Sequence, residues 1–241
     1  MRRPDAGQAA VEAALVLPLV VFIALGTLQL FLMLQARQMA QYAAFWAARE
    51  GSVTQGRCDD MQRVTLKALL PTFTRVRDAA ELQQRSSGYE AAKYRFDART
   101  EPGFDGTMFW LLRDAPRAGS VVARDEETFD QGGAAVRLEV RLVFWYPMQI
   151  PFASSVMAQI SRAVFGLGSP RGADPLMPVR DARWRDEGFR FRDVVVRDEL
   201  LSRLARGERV FPITVTSSMR MMTPPAPEYF DHQDCSGPGS T

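Results

Sequence analysis

The hydropathy pattern divides the chain sharply. From Ala13 to Leu34 the sequence is an uncharged apolar run in which only Thr27 and Gln29 are clearly polar. Roughly 22 residues at about 1.5 Å each span about 33 Å, enough for the hydrocarbon core of a bilayer. Glu12 stands at the head of this run, where an ionised group is costly and usually functional. Helical spacing persists past the apolar end: Ala36, Met39, Ala40, Ala43, Ala44 and Ala47 recur every three or four positions between Gln38, Gln41 and Arg49. The pattern predicts one helix from Gln8 to Glu50, kinked at Pro18, with transmembrane part 13–34 and a stop at Gly51.

Beyond Gly51 the pattern is mixed. Asp59 to Leu70 reads as an amphipathic helix with Met61, Val64, Ala68 and Leu69 on one face and Pro71 at its end, and Asp78 to Arg85 as a further helical turn or two. Ser86 to Gln131 reads as irregular, with short strands near Tyr94–Phe96 and Met108–Leu112. From Val136 to Tyr146 apolar and polar residues alternate with period two, the mark of a strand with one buried face. Pro212 to Met222 alternates in the same way, and the two strands are expected to share a sheet, because a lone strand leaves its backbone unsatisfied. Between them, Phe152 to Phe165 carries Phe152, Val156, Ile160 and Val164 at spacing four. Asp193 to Arg206 carries Val196, Leu200 and Leu204 on one stripe before Gly207. Thr223 to Thr241, rich in proline, glycine and serine, reads as a disordered tail. The fold class is therefore α+β: a long N-terminal transmembrane helix leading into a small domain with an antiparallel sheet and flanking helices.

Composition narrows the function classes. A net charge of +2 over 241 residues gives no electrostatic reason to expect nucleic acid as a partner. Arg2 and Arg3 before the apolar run favour a cytoplasmic N-terminus, which places the following domain outside the cytoplasm. The apolar run is longer than the core of a secretory signal and leads into Gln35-Ala36-Arg37-Gln38, a poor cleavage site. Two cysteines are too few for a disulfide framework, although Cys58 and Cys235 could form one bridge in an oxidising compartment.

The head of the chain, Gly7-Gln8-Ala9-Ala10-Val11-Glu12-Ala13-Ala14-Leu15-Val16-Leu17-Pro18, resembles the type IV pilin signature, and most closely that of the TadE-like proteins of the tight-adherence (Tad) pilus system. Ala47-Ala48-Arg49-Glu50-Gly51 and the late strand ending Ser218-Met219-Arg220-Met221 fit the same pattern. The resemblance implies a leader of residues 1–7, cut between Gly7 and Gln8 by a prepilin peptidase, which leaves Glu12 as the fifth mature residue. It also implies that Glu12 neutralises the terminal amine of a neighbouring subunit, an arrangement that would offset the roughly 2.5 to 3.5 kcal/mol cost of a carboxylate in the bilayer. Ala13 replaces the aromatic that usually follows the glutamate, and the region after the helix is far longer than in major Tad pilins. Both features point to a minor, pseudopilin-like component.

Other candidate chemistry is thin. Arg180 to Arg192 interleaves arginine with Trp184, Phe189 and Phe191, but acidic residues run through it and a self-paired surface is the better reading. Met219, Met221 and Met222 fit a core-facing strand better than a copper site. Asp231, His232 and Cys235 superficially suggest a catalytic group, but in a Pro- and Gly-rich tail unstructured residues are the better reading. No cofactor, metal or small-molecule substrate is expected. The reading is a structural protein: a single-pass component of the cytoplasmic (inner) membrane with a leader at 1–7, a helix at 8–50, an extracytoplasmic domain at 51–222 and a tail at 223–241. Its partners would be a prepilin peptidase and other pilins and minor pilins, with incorporation into a pilus open. The alternative is an envelope enzyme or ligand-binding domain on a plain uncleaved signal-anchor.

Overall fold

The computed structural model describes residues 5–97, 103–117, 119–121, 129, 136–150, 153–164 and 193–236. The elements are α1 (Asp5–Val53), α2 (Cys58–Phe73), α3 (Ala79–Ala91), β1 (Phe109–Ala115), β2 (Arg137–Pro147), α4 (Ala153–Val164), α5 (Val194–Ala205), β3 (Val210–Arg220) and β4 (Asp234–Ser236), with a short 3-10 turn at Pro227–Phe230. The fold is α+β, as the pattern predicts: a long apolar N-terminal helix and a small domain with a four-stranded antiparallel sheet, ordered β3-β2-β1-β4. Two compact units share the chain, Met1–Met33 with Met148–Arg209 and Leu34–Pro147 with Val210–Thr241.

The second unit holds the sheet. β2 pairs with β3 from Arg137↔Arg220 to Pro147↔Val210, so the two strands read from period-two alternation do lie side by side. Burial in β2 alternates only as far as Arg141. From Leu142 to Pro147 every residue is buried, because both faces of that half are covered. Phe73 of α2 meets Tyr89, Phe96 and Phe144, and Trp110 packs edge-on to Trp145 with ring centroids 5.1 Å apart. Ala36, Ala40, Ala43, Ala44, Ala47 and Ala48 are fully buried, so the alanine face of α1 is a packing surface of this unit.

Several boundaries differ from the sequence reading. Gly51 does not stop α1, which runs to Val53; the glycine is there for proximity. A Cβ at Gly51 would lie 2.6 Å from Leu138 Cδ2 and 2.7 Å from Met61 Sδ. Pro71 does not end α2, which continues to Phe73 and is closed by the Thr74 amide donating to the Leu70 carbonyl at 3.0 Å. One missing backbone bond in a last turn is tolerated where Leu69 and Leu70 are buried. α3 extends to Ala91 from an Asp78 cap whose carboxylate accepts from the Glu81 amide. Nor is the region from Thr223 a structureless tail up to Ser236, because the 3-10 turn and β4 are formed, and β4 pairs with β1. Residues 237–241, Phe152 and Phe165 at the ends of the helix read between them, and the Arg180 to Arg192 segment lie outside the described residues.

The first unit is helical among its described residues. Asp193 caps α5 by accepting from the amides of Val195 and Val196, and Gly207 ends it with a φ of 85°. Val196, Leu200 and Leu204 form its buried stripe. Arg203, fully buried, pairs with Glu199 at 2.7 Å, and Glu208 pairs with Arg206 at 2.8 Å.

Candidate assembly interface

Gly7 and Gln8 lie in the first turns of α1, already helical in backbone. Glu12 follows on the same helix, and its side chain is exposed. Pro18 falls inside α1, which continues past it. The large apolar side chains that follow point into solvent space: Leu15 is 74% exposed and Phe31 63%. A soluble protein would not leave such a surface uncovered. The stretch Val11–Val53 of α1 is long and apolar enough to cross a membrane, and membrane anchoring accounts for the exposure.

Beyond the apolar run, α1 has two unlike sides. The alanines face the core of the second unit, whereas Tyr42 and Phe45 remain exposed. Trp46 packs edge-on against both, and Arg49 lies 4.9 Å from the Trp46 ring centroid. Aromatic and arginine side chains together suit the zone just outside a bilayer, where one end of the group is wet.

The end of α1 is held by the C-terminal segment. The amides of Met222 and Thr223 donate to the Ser52 carbonyl at 2.9 and 3.1 Å, and the Thr223 hydroxyl accepts from the Gln55 amide. Gly56 turns the chain at a φ of 86°, and a Cβ there would sit 2.5 Å from the Phe230 ring. Cys58 and Cys235 are joined in a disulfide across a sequence separation of 177. Gln62 Nε2 donates to the Cys235 carbonyl at 2.5 Å.

Arg113 gathers these parts. Its guanidinium is buried and donates to the carbonyls of Gly56 at 2.8 Å and Tyr229 at 2.6 Å, and to that of His232. It lies 4.2 Å from the Phe230 ring centroid. Burial pulls its pKa down to about 10, with Asp234 opposing the shift. Three backbone carbonyls and an aromatic face therefore hold the charge in place of a directly bonded carboxylate. Outside this cluster, Arg57 donates to the Tyr229 hydroxyl at 2.8 Å and stacks on its ring.

The structure thus places Gly7, Gln8 and Glu12 at one end of α1, and Cys58 and Cys235 together just past its other end. The suggested group of Asp231, His232 and Cys235 has no thiol to offer, since Cys235 is oxidised. Met221 is buried as a strand core residue would be, but Met222 is 67% exposed. Sequence reasoning missed Arg113 and Gly56, for which no local signal exists. Gln29 did carry one, as a polar side chain inside an apolar run.

Residues 7–49 match the family model described as TadE-like protein. No curated protein and no solved structure matches the chain. The matched stretch coincides with α1, from the glycine at its head to the arginine that stacks on Trp46. Over residues 7–49 this chain is similar to TadE-like proteins.

Proposed function

We propose that the protein is a minor, pseudopilin-like subunit of a Tad-type pilus or secretion apparatus, embedded in the cytoplasmic membrane with its N-terminus inside. Residues 1–7 are the leader, a prepilin peptidase cuts between Gly7 and Gln8, and the domain after the helix lies outside the cytoplasm. The observation that carries this reading is the TadE-like match falling on a single exposed apolar helix with the Gly7–Glu12 spacing at its head. The Cys58–Cys235 disulfide supports the orientation, since such bonds persist in oxidising compartments.

The chemistry asked of the helix is modest. Because α1 begins before Gly7, its first turns must unwind to present the bond to a peptidase. Terminal turns lack part of their hydrogen bonding, and glycine lowers helix stability by about 1 kcal/mol relative to alanine, so the unwinding is cheap. After cleavage the Gln8 amine is a cation a little over one turn from Glu12. Pairing Glu12 with the amine of another subunit satisfies both charges in lipid and sets the axial stagger between helices.

The test is N-terminal sequencing of the protein recovered from cells that express a prepilin peptidase. A mature chain starting at Gln8 is expected, with Gly7→Leu remaining uncut; a start elsewhere overturns the processing. Glu12→Leu is expected to be cut and inserted but to lose co-purification with other pilins. Undiminished co-purification refutes the pairing role.

A further inference from the structure

Gln29 is fully buried although it belongs to the apolar run of α1. Its Oε1 accepts from the backbone amide of Ile150 at 3.1 Å. Leu25, Leu32 and Met33, on the same side of the helix, are likewise partly covered, while Leu28, Leu30, Phe31 and Leu34 are exposed. Only one face of this stretch is shielded. Gln29 lies about 8 Å along the helix axis from Leu34, where the apolar run ends. The Ile150 amide therefore sits at a depth where water is scarce and an unpaired amide would be costly. The Gln29 side chain supplies its acceptor.

Ile150 opens α4. Its carbonyl accepts from the Ser154 amide at 3.0 Å, which starts the helix. Arg209 holds the same end: its carbonyl accepts from the Met148 amide at 2.8 Å, and its Nη1 donates to the Ser154 hydroxyl at 3.3 Å. α4 is strongly amphipathic. Ala153, Val156 and Met157 lie on one side, and Ser155 and Gln159 on the other. Ala153 is buried, Val156 and Met157 are half-buried, and Gln159 is exposed.

We infer that α4 is an interfacial helix, lying at the boundary of headgroups and acyl chains with its apolar side in the lipid and its start pinned to the membrane helix by the Gln29–Ile150 bond. The partner is the bilayer surface itself. Helices of this kind sit about 5 to 10 Å into the boundary, which matches the depth of Gln29. The inference rests on the reading of α1 as membrane-spanning. It adds a second, lateral attachment that fixes the first unit against the bilayer.

Site-directed spin labelling of the full chain in phosphatidylcholine–phosphatidylglycerol vesicles tests it, since the native cysteines are bonded to each other and leave the introduced thiol as the target. Nitroxides are placed by Val156→Cys, Gln159→Cys and Leu19→Cys, and collisions with oxygen and with a water-soluble nickel chelate are compared. The expected oxygen-to-nickel ratio is several-fold higher at position 156 than at 159, and falls by at least half at 156 when Gln29→Leu is added. A lipid-exposed label at 19 with equal, water-like ratios at 156 and 159 overturns the interfacial helix and leaves the membrane helix standing. A water-exposed label at 19 overturns both. Should the label at 156 disturb packing, Met157→Cys reads the same side of α4, and water-like behaviour there also refutes the inference.

Discussion

Replacing Arg113 by methionine removes the charge that ties the α1–α2 turn to the C-terminal segment and keeps most of the side-chain volume. Three carbonyls, those of Gly56, Tyr229 and His232, lose their donor, and the Phe230 ring loses its cation. Hydrogen bonds to charged groups contribute about 1.5 to 3 kcal/mol each, and a desolvated cation–π contact about 2 kcal/mol. Against this stands the cost of burying the guanidinium. The fall of its pKa from 12.5 to about 10 corresponds to about 3 kcal/mol. The difference leaves a net loss of about 3.5 to 8 kcal/mol for Arg113→Met, a large share of the 5 to 15 kcal/mol typical of a domain. Urea titration of the full chain in detergent micelles, followed by fluorescence of the buried Trp110 and Trp145, measures it. A loss below about 1 kcal/mol would refute the claim that these bonds hold the segment. The same titration on Cys58→Ser/Cys235→Ser, alone and combined with Arg113→Met, asks whether bridge and arginine act as one unit. Coupled elements give combined losses well short of the sum, whereas agreement within about 0.5 kcal/mol would make them independent.

Gly56→Ala is expected to cost about 2 to 4 kcal/mol, from left-handed backbone strain and from a Cβ 2.5 Å from the Phe230 ring. Gly207→Ala, with a φ of 85° but nothing within 4 Å, is the control and should cost only about 1 to 2 kcal/mol; equal losses in the two variants would show that the ring contact is immaterial. Burial, with help from Glu90 and Asp59, pushes the Tyr94 phenol up to about 12 from 10. The unfolded chain therefore loses this proton first, and stability declines as pH rises from about 10 to about 12. Tyrosinate absorbance of the native protein should accordingly contain a late contribution from Tyr94 that denaturant moves to lower pH, and Tyr94→Phe should reduce the late amplitude by one residue.

How much of this was legible depended on the range of the forces involved. The β2 and β3 strands announced themselves, because a sheet with one covered face writes a period of two into the sequence. The alanine face of α1 was equally plain. Gly51 was misread because glycine reports both helix ends and tight contacts, and only the opposing side chains of Leu138 and Met61 tell them apart. The segment from Thr223 to Ser236 was misread for a related reason: its composition correctly denies it a long regular element. Its order comes from Arg113, Gln62 and Cys58, which are distant in sequence, so no local window contains the cause. Gly7, Gln8 and Glu12 were read from spacing alone, and the role proposed for them calls on one helix and a membrane and not on tertiary packing.

The covalent bridge just beyond α1 also has a mechanical meaning. If α1 is the part gripped within a fibre, tension on the exposed domain enters through residues 53–58. Without the bridge, yielding could pay out the chain between Cys58 and Cys235, a separation of 177 residues. At about 3.5 Å per residue this is about 600 Å of slack. With Cys58 bonded to Cys235, a tug on the final strand is relayed directly to the helix root, and the intervening chain carries none of it.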